Sequence, residues 1–175
     1  MNVFSFLKRI ATVFVVAVMP IAANAADTCG YFAAAEDDDN GPPIAWKAFL
    51  SADEESAVTE SPGSGLAEFT LERKTLKLSW KLTFKELTTP PIGAALHGPQ
   101  TSGGEAGVLH DMAPKGVVSG ITGSAILNEG ELAYLVQDRL YVNIRTRKYP
   151  AGELRGSLQR IAPTCDDLSP AAQTR

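Results

Sequence analysis

Leu76, Leu78, Trp80, Leu82 and Phe84 alternate with Lys77, Ser79, Lys81, Thr83 and Lys85, the longest regular pattern in the chain. A helix would repeat near 3.6 residues, so this alternation predicts a strand with one dry face and one wet face. The lysine row reads as the solvent side of an antiparallel sheet, where it also discourages edge pairing. The same period predicts a strand over 44–52, with Trp46, Ala48 and Leu50 on one face. It recurs where Ala67, Phe69 and Leu71 alternate with Glu68, Thr70 and Glu72. Residues 92–97 start another strand, 108–112 is a short apolar segment beyond a Gly-rich loop, and 117–127 has strand character without a fixed register. From Asn128 the spacing changes. Leu132, Leu135 and Val136 recur at helical intervals, Asn128 can cap the start, and Glu129 and Glu131 suit a helix N-terminus, so one or two helical turns are expected.

The last regular segment is a hairpin. Leu140, Val142 and Ile144 alternate with Tyr141, Asn143 and Arg145. Tyr149-Pro150-Ala151-Gly152 supplies a turn, with Gly152 placed where a positive φ costs nothing. Leu154 and Leu158 then point inward, Glu153, Arg155, Ser157 and Gln159 outward, and Gly156 leaves room for a neighbouring backbone. The polar face of this hairpin gathers Asn143, Arg145, Glu153 and Arg155. Several short strands with turn signals between them, and one brief helix, predict an all-β antiparallel sandwich or barrel.

The chain's start changes the picture of where it works. Lys8 and Arg9, an apolar run of about 13 residues and the small-x-small Ala23-Asn24-Ala25 form an export signal too short to span a bilayer. The expected division is therefore a signal peptide over 1–25, an acidic leader over 26–43, a β domain over 44–161 and a polar tail over 162–175. Export places the mature protein in the periplasm or outside the cell, with no membrane span after cleavage. There Cys29 and Cys165, the two cysteines of the chain, most simply form one disulfide tying the ends together. With 20 acidic against 16 basic residues, the chain lacks the basic footprint that nucleic acid requires. Glu36-Asp37-Asp38-Asp39 lacks the alternate spacing of a calcium loop and reads as a solvated leader.

Candidate chemistry is sparse. No GxSxG, HExxH or phosphate loop occurs, and the two histidines, His97 and His110, both border the Gly-rich loop. With Asp111 they would make at most a three-ligand metal site.

Phe49-Leu50-Ser51-Ala52, Leu76-Lys77-Leu78-Ser79-Trp80 and Ala94-Ala95-Leu96-His97-Gly98-Pro99 occur in that order. Leu140-Tyr141-Val142-Asn143-Ile144-Arg145-Thr146 and Gly152-Glu153-Leu154-Arg155-Gly156 follow. In this order and spacing the chain resembles the chordin (CHRD) domain family over roughly 44–161. The resemblance implies an immunoglobulin-like β-barrel, distantly similar to copper/zinc superoxide dismutase, in exported proteins to which no enzymatic activity is generally attributed. It also implies a His-x-His before the Gly-Pro and a further histidine in the YVN strand. Here Ala95 and Arg145 stand at two of those three positions, and only His97 remains. Alanine has no donor atom and a guanidinium stays protonated, so these residues do not suit a metal. The expectation is a non-catalytic binding or structural module, without cofactor, for a protein or polysaccharide partner. The alternative is a reduced dismutase-like metal site on His97, His110 and Asp111. Arg145, Glu153 and Arg155 have two readings: an Arg–carboxylate network that fixes the hairpin, or an anion-binding spot beside His97.

Overall fold

The computed structural model of the protein describes residues 43–101 and 105–161. In chain order these form β1 (Ile44–Leu50), β2 (Ser64–Glu72), β3 (Lys77–Lys85), β4 (Pro91–His97), β5 (Val108–Asp111) and β6 (Ile121–Ile126). There follow α1 (Glu129–Val136), β7 (Tyr141–Thr146), β8 (Leu154–Ser157) and β9 (Gln159–Ile161). One sheet has the order β6-β3-β2-β1-β9 and the other β5-β4-β7-β8, with every pairing antiparallel. The expected all-β sandwich with one short helix is what forms. The proposed signal peptide, acidic leader and Cys29–Cys165 pair lie outside the described residues.

The core follows the alternations. Trp46, Ala48 and Leu50 of β1, Ala67, Phe69 and Leu71 of β2, and Leu78, Trp80 and Leu82 of β3 are buried. They meet Ala94 and Leu96 of β4, Val142 and Ile144 of β7, and Leu154 of β8. Burying side chains of this size on both inner faces, at roughly 1.5–3 kcal/mol each, is what holds the two sheets together. The lysine row of β3 does not guard an edge, because β3 lies inside its sheet between β2 and β6. Lys77 and Lys81 instead stand opposite Glu72 and Glu68 in register, where opposite charges support the pairing.

α1 starts with a reciprocal cap. The Asn128 side chain accepts from the Glu131 amide at 3.0 Å, and the Glu131 carboxylate accepts from the Asn128 amide at 3.0 Å. Leu135 sinks into the core and delivers the chain into β7.

The sandwich closes along one side through the end of β1. Ser51 and Arg155 exchange backbone hydrogen bonds at 2.9 and 3.0 Å, so β8 is stitched to β1 as well as to β7. Gly156 makes this possible, since a Cβ there would lie 2.4 Å from the Phe49 carbonyl oxygen. The turn before β8 departs from expectation. Gly152 is not among the positive-φ glycines of the described residues, which are Gly116 and Gly120. Its missing Cβ serves packing instead, because that atom would crowd Asn143 Nδ2 and Glu55 Oε1.

Candidate functional site

The alternation that buries Ala94, Leu96, Val142 and Ile144 sends Ala95 and His97 of β4 and Tyr141, Asn143 and Arg145 of β7 to the other face of the four-stranded sheet. Register brings them together. Gly93 stands opposite Arg145, Ala95 opposite Asn143, His97 opposite Tyr141, and Arg155 of β8 opposite Asn143. The connection after β1 brings Glu55 over this face, and the β4–β5 connection brings Ala106.

Arg155 is the centre of the group. It is only 6 % exposed, and its guanidinium carbon lies 3.6 Å from the centre of the Tyr141 ring. Among the described residues it makes no salt bridge, while its charge acts on the Glu55 carboxyl. Tyr141 is stacked in turn with His97, with ring centres 5.0 Å apart and planes at 12°. The Tyr141 hydroxyl accepts from the Ala106 amide at 2.9 Å. Arg145 lies flat over Gly93, where an added Cβ would come 2.7 Å from its terminal nitrogen. Its Nε is buried and has no hydrogen-bond partner among the described residues. Asn143 is 5 % exposed; its Nδ2 donates to Glu55 Oε1 at 2.9 Å, while its buried Oδ1 has no partner among the described residues.

The electrostatics follow from this crowding. His97 Nδ1 is 3.0 Å from the Ala106 carbonyl oxygen, which can only accept, so Nδ1 carries the proton and buried Nε2 is left unpaired. Burial lowers the His97 pKa, and the Arg145 and Arg155 charges lower it further, against the Ala106 bond and Glu105. Glu55 goes the other way. Burial raises it from 4.5 to about 7, Glu105 adds to the rise, and Arg155 and a backbone bond from Ser56 oppose it. Because the folded value is the higher one, ionising Glu55 costs stability. Stability present below 4.5 is lost as pH rises to about 7.

Four of the five expected binding residues, His97, Asn143, Arg145 and Arg155, therefore share one face. Glu153 does not join them. It is fully buried at the end of the sandwich, where it accepts from Ser61 Oγ at 2.6 Å, Thr88 N at 2.7 Å, Thr88 Oγ1 at 2.9 Å and Thr146 Oγ1 at 2.5 Å. No ion pair links it to Arg145 or Arg155 among the described residues, so the expected Arg–Glu–Arg network is corrected. The hydroxyl and amide donors are close and numerous, and the carboxylate turned to them. Burial alone would raise the Glu153 pKa, but these bonds prevail and lower it.

His97 and His110 do not converge. His110 pairs with Leu96 and so shares that residue's face, with Nε2 3.3 Å from Glu131 Oε1 of α1, while His97 faces away. Asp111 Oδ1 accepts from the Ala113 amide at 2.9 Å. Among the described residues no group of three or more His, Cys, Asp or Glu could hold a metal ion. The positions where the resemblance implies imidazoles do lie on one face, but they hold the Ala95 methyl, His97 and the Arg145 guanidinium. This donor set does not fit copper or zinc.

The model of the CHRD domain matches residues 46–158. The chain belongs to the CHRD domain family. The match runs from Trp46 within β1 to beyond the end of β8, and takes in every residue of the outer-face group. No curated protein and no solved structure matches the chain. Among the described residues no helix is long and apolar enough to cross a membrane.

Sequence reasoning missed Glu55, Tyr141 and Ala106 as parts of the site. Tyr141 was within reach, since it holds the same strand parity as Asn143 and Arg145. Glu55 sits in an aperiodic polar connection and carries no local signal.

Proposed function

We propose that this CHRD-domain protein is an exported, non-catalytic binding module whose ligand surface is the outer face of β4, β7 and β8, and that this surface takes a carboxylate. The observation that carries the reading is Arg155, a buried guanidinium stacked on Tyr141 that makes no salt bridge to a carboxylate among the described residues. The carboxyl that Arg155 faces, Glu55, is pushed up to about 7 and so is largely neutral at pH 6, which leaves the guanidinium short of countercharge that a bound anion would supply. Arg145, with its orphaned Nε, adds a second planar donor set suited to a carboxylate. The Lys8-Arg9 start and small-residue cleavage site support export to the periplasm or beyond. A disulfide between Cys29 and Cys165 would suit that compartment.

Calorimetric titration with glutarate at pH 6 tests this reading. Arg155→Met should weaken binding by about ten- to a hundredfold, the equivalent of one charge-assisted hydrogen bond. Its unfolding free energy should stay within about 1 kcal/mol of the parent, because the lost cation–π contact is offset by no longer desolvating a charge. Undiminished affinity in the Met variant would rule the site out. A second substitution works at a distance from the ligand. Gly93→Ala pushes the Arg145 guanidinium from its seat and should weaken glutarate by up to about tenfold while the fold persists.

A further inference from the structure

The group already contains a carboxylate of its own. Glu55 Oε1 accepts from Asn143 Nδ2 at 2.9 Å, yet no ion pair joins Glu55 to Arg145 or Arg155. A glutamyl side chain carried on a loop thus stands beside a cationic site, feeling the charge of Arg155 without forming a salt bridge to it. Two further contacts hold it there. Ser56 Oγ donates to Glu105 Oε1 at 3.2 Å, tying the β1–β2 connection to the β4–β5 connection, and Gly152 leaves the space that Glu55 Oε1 occupies. The rim also speaks to the ligand's class. The Tyr141 ring is covered by Arg155 and His97 and is 2 % exposed, so among the described residues it gives this face no bare aromatic platform for a sugar ring.

Resting on the reading of this face as a carboxylate site, we propose that its ligand is an acidic side chain on a polypeptide and that Glu55 gates its entry. Ionised Glu55 repels the incoming carboxylate, and protonated Glu55 admits it to Arg155. The charged groups facing Glu55 are Arg155 from β8 and Glu105 from the β4–β5 connection, with neutral Asn143 facing it from β7. His97 of β4 and Arg145 of β7 share the face. Burial and the two arginines hold His97 below its ordinary 6.5, which favours its neutral form, and Glu55→Gln separates any share of His97 from that of Glu55. Glu55, at about 7, changes charge in that window. A ligand carboxylate bound beside it raises that value further, so binding takes up a proton.

The size of the effect follows from populations. The admitting form falls from about nine-tenths to about one-tenth between pH 6 and pH 8, which weakens apparent affinity about tenfold. The test is calorimetric titration with a hexaglutamate peptide blocked at both ends, whose carboxylates stay ionised throughout. The parent protein should bind about tenfold tighter at pH 6 than at pH 8. Glu55→Gln should bind equally at both, at the parent's pH 6 strength. If Glu55→Gln keeps the tenfold drop, or the parent shows none, the gate is overturned. If neither protein binds the peptide while glutarate still binds through Arg155, the polypeptide ligand is overturned and the carboxylate site stands. If glutarate binding also ignores Arg155, both proposals fall. Tighter binding of a trigalacturonate than of the peptide would overturn the choice of polypeptide over polysaccharide.

Discussion

Replacing Glu153 with alanine should cost about 3–5 kcal/mol of unfolding free energy, the range for stripping a buried charge from its partners. Three hydroxyls and one backbone amide converge on this carboxylate: Ser61, Thr88 twice and Thr146. Each donor left buried without an acceptor costs about 1–3 kcal/mol, lessened where a hydroxyl can rotate to another partner. The consequence is topological as well as local. Glu153 ties the β1–β2 connection, the β3–β4 connection and the end of β7 to the turn before β8, so its loss should loosen that end of the sandwich. Glu153→Gln keeps the shape but puts an amide donor among donors, and should cost about 2 kcal/mol. The pH dependence has a definite sign. The folded value lies below the ordinary 4.5, so the carboxylate's contribution is present above 4.5 and is lost as pH falls through the folded value. Urea denaturation at pH 7 and at pH 3 reads all three effects. A loss under about 1 kcal/mol for Glu153→Ala at pH 7 would contradict the account.

The second large effect is expected at Gly156. A methyl group there meets the Phe49 carbonyl oxygen at 2.4 Å and the Leu50 amide nitrogen at 3.1 Å, both backbone atoms. Backbone cannot swing aside as a side-chain tip can. Gly156→Ala must therefore push β1 from β8 and strain the paired hydrogen bonds between Ser51 and Arg155. We expect a cost of about 2–4 kcal/mol, at or above the upper end for overpacking in a close-packed interior. Because the displaced bonds flank Arg155, glutarate affinity should fall with stability. Denaturant titration with an unchanged m-value would show that the change is in stability. A variant as stable as the parent would mean that β1 and β8 do not approach as described.

How much of this could be read in the sequence depends on the kind of contact. Strict alternation located β1, β2, β3 and β7 and their inner faces, because burial on one face of a strand imposes that period directly. The Asn128 cap marked α1 for the same local reason. The hairpin's polar face was legible in part. Asn143, Arg145 and Arg155 share a face, as parity requires, but Glu153 precedes β8 and belongs to the turn, where strand parity no longer governs. Its partners Ser61 and Thr88 are 92 and 65 residues away in sequence, and no periodicity reports such a contact. The lysine row shows the same limit. Alternation found the wet face of β3, while strand order, which sequence did not supply, put β3 inside the sheet opposite the glutamates of β2. Glu55 was invisible for the reason that makes it interesting: it acts from a connection, across the end of the sandwich, on a residue 88 positions along.

The binding reading rests on two arginines that share one face and make no salt bridge to a carboxylate among the described residues. The most direct measurement follows arginine Nε–Hε signals by heteronuclear NMR while glutarate is added at pH 6. The account predicts that the Arg145 and Arg155 signals shift together and saturate, while those of exposed Arg147 and Arg160 stay in place. Fixed Arg145 and Arg155 signals, or shifts of the same size at Arg147 and Arg160, would contradict it.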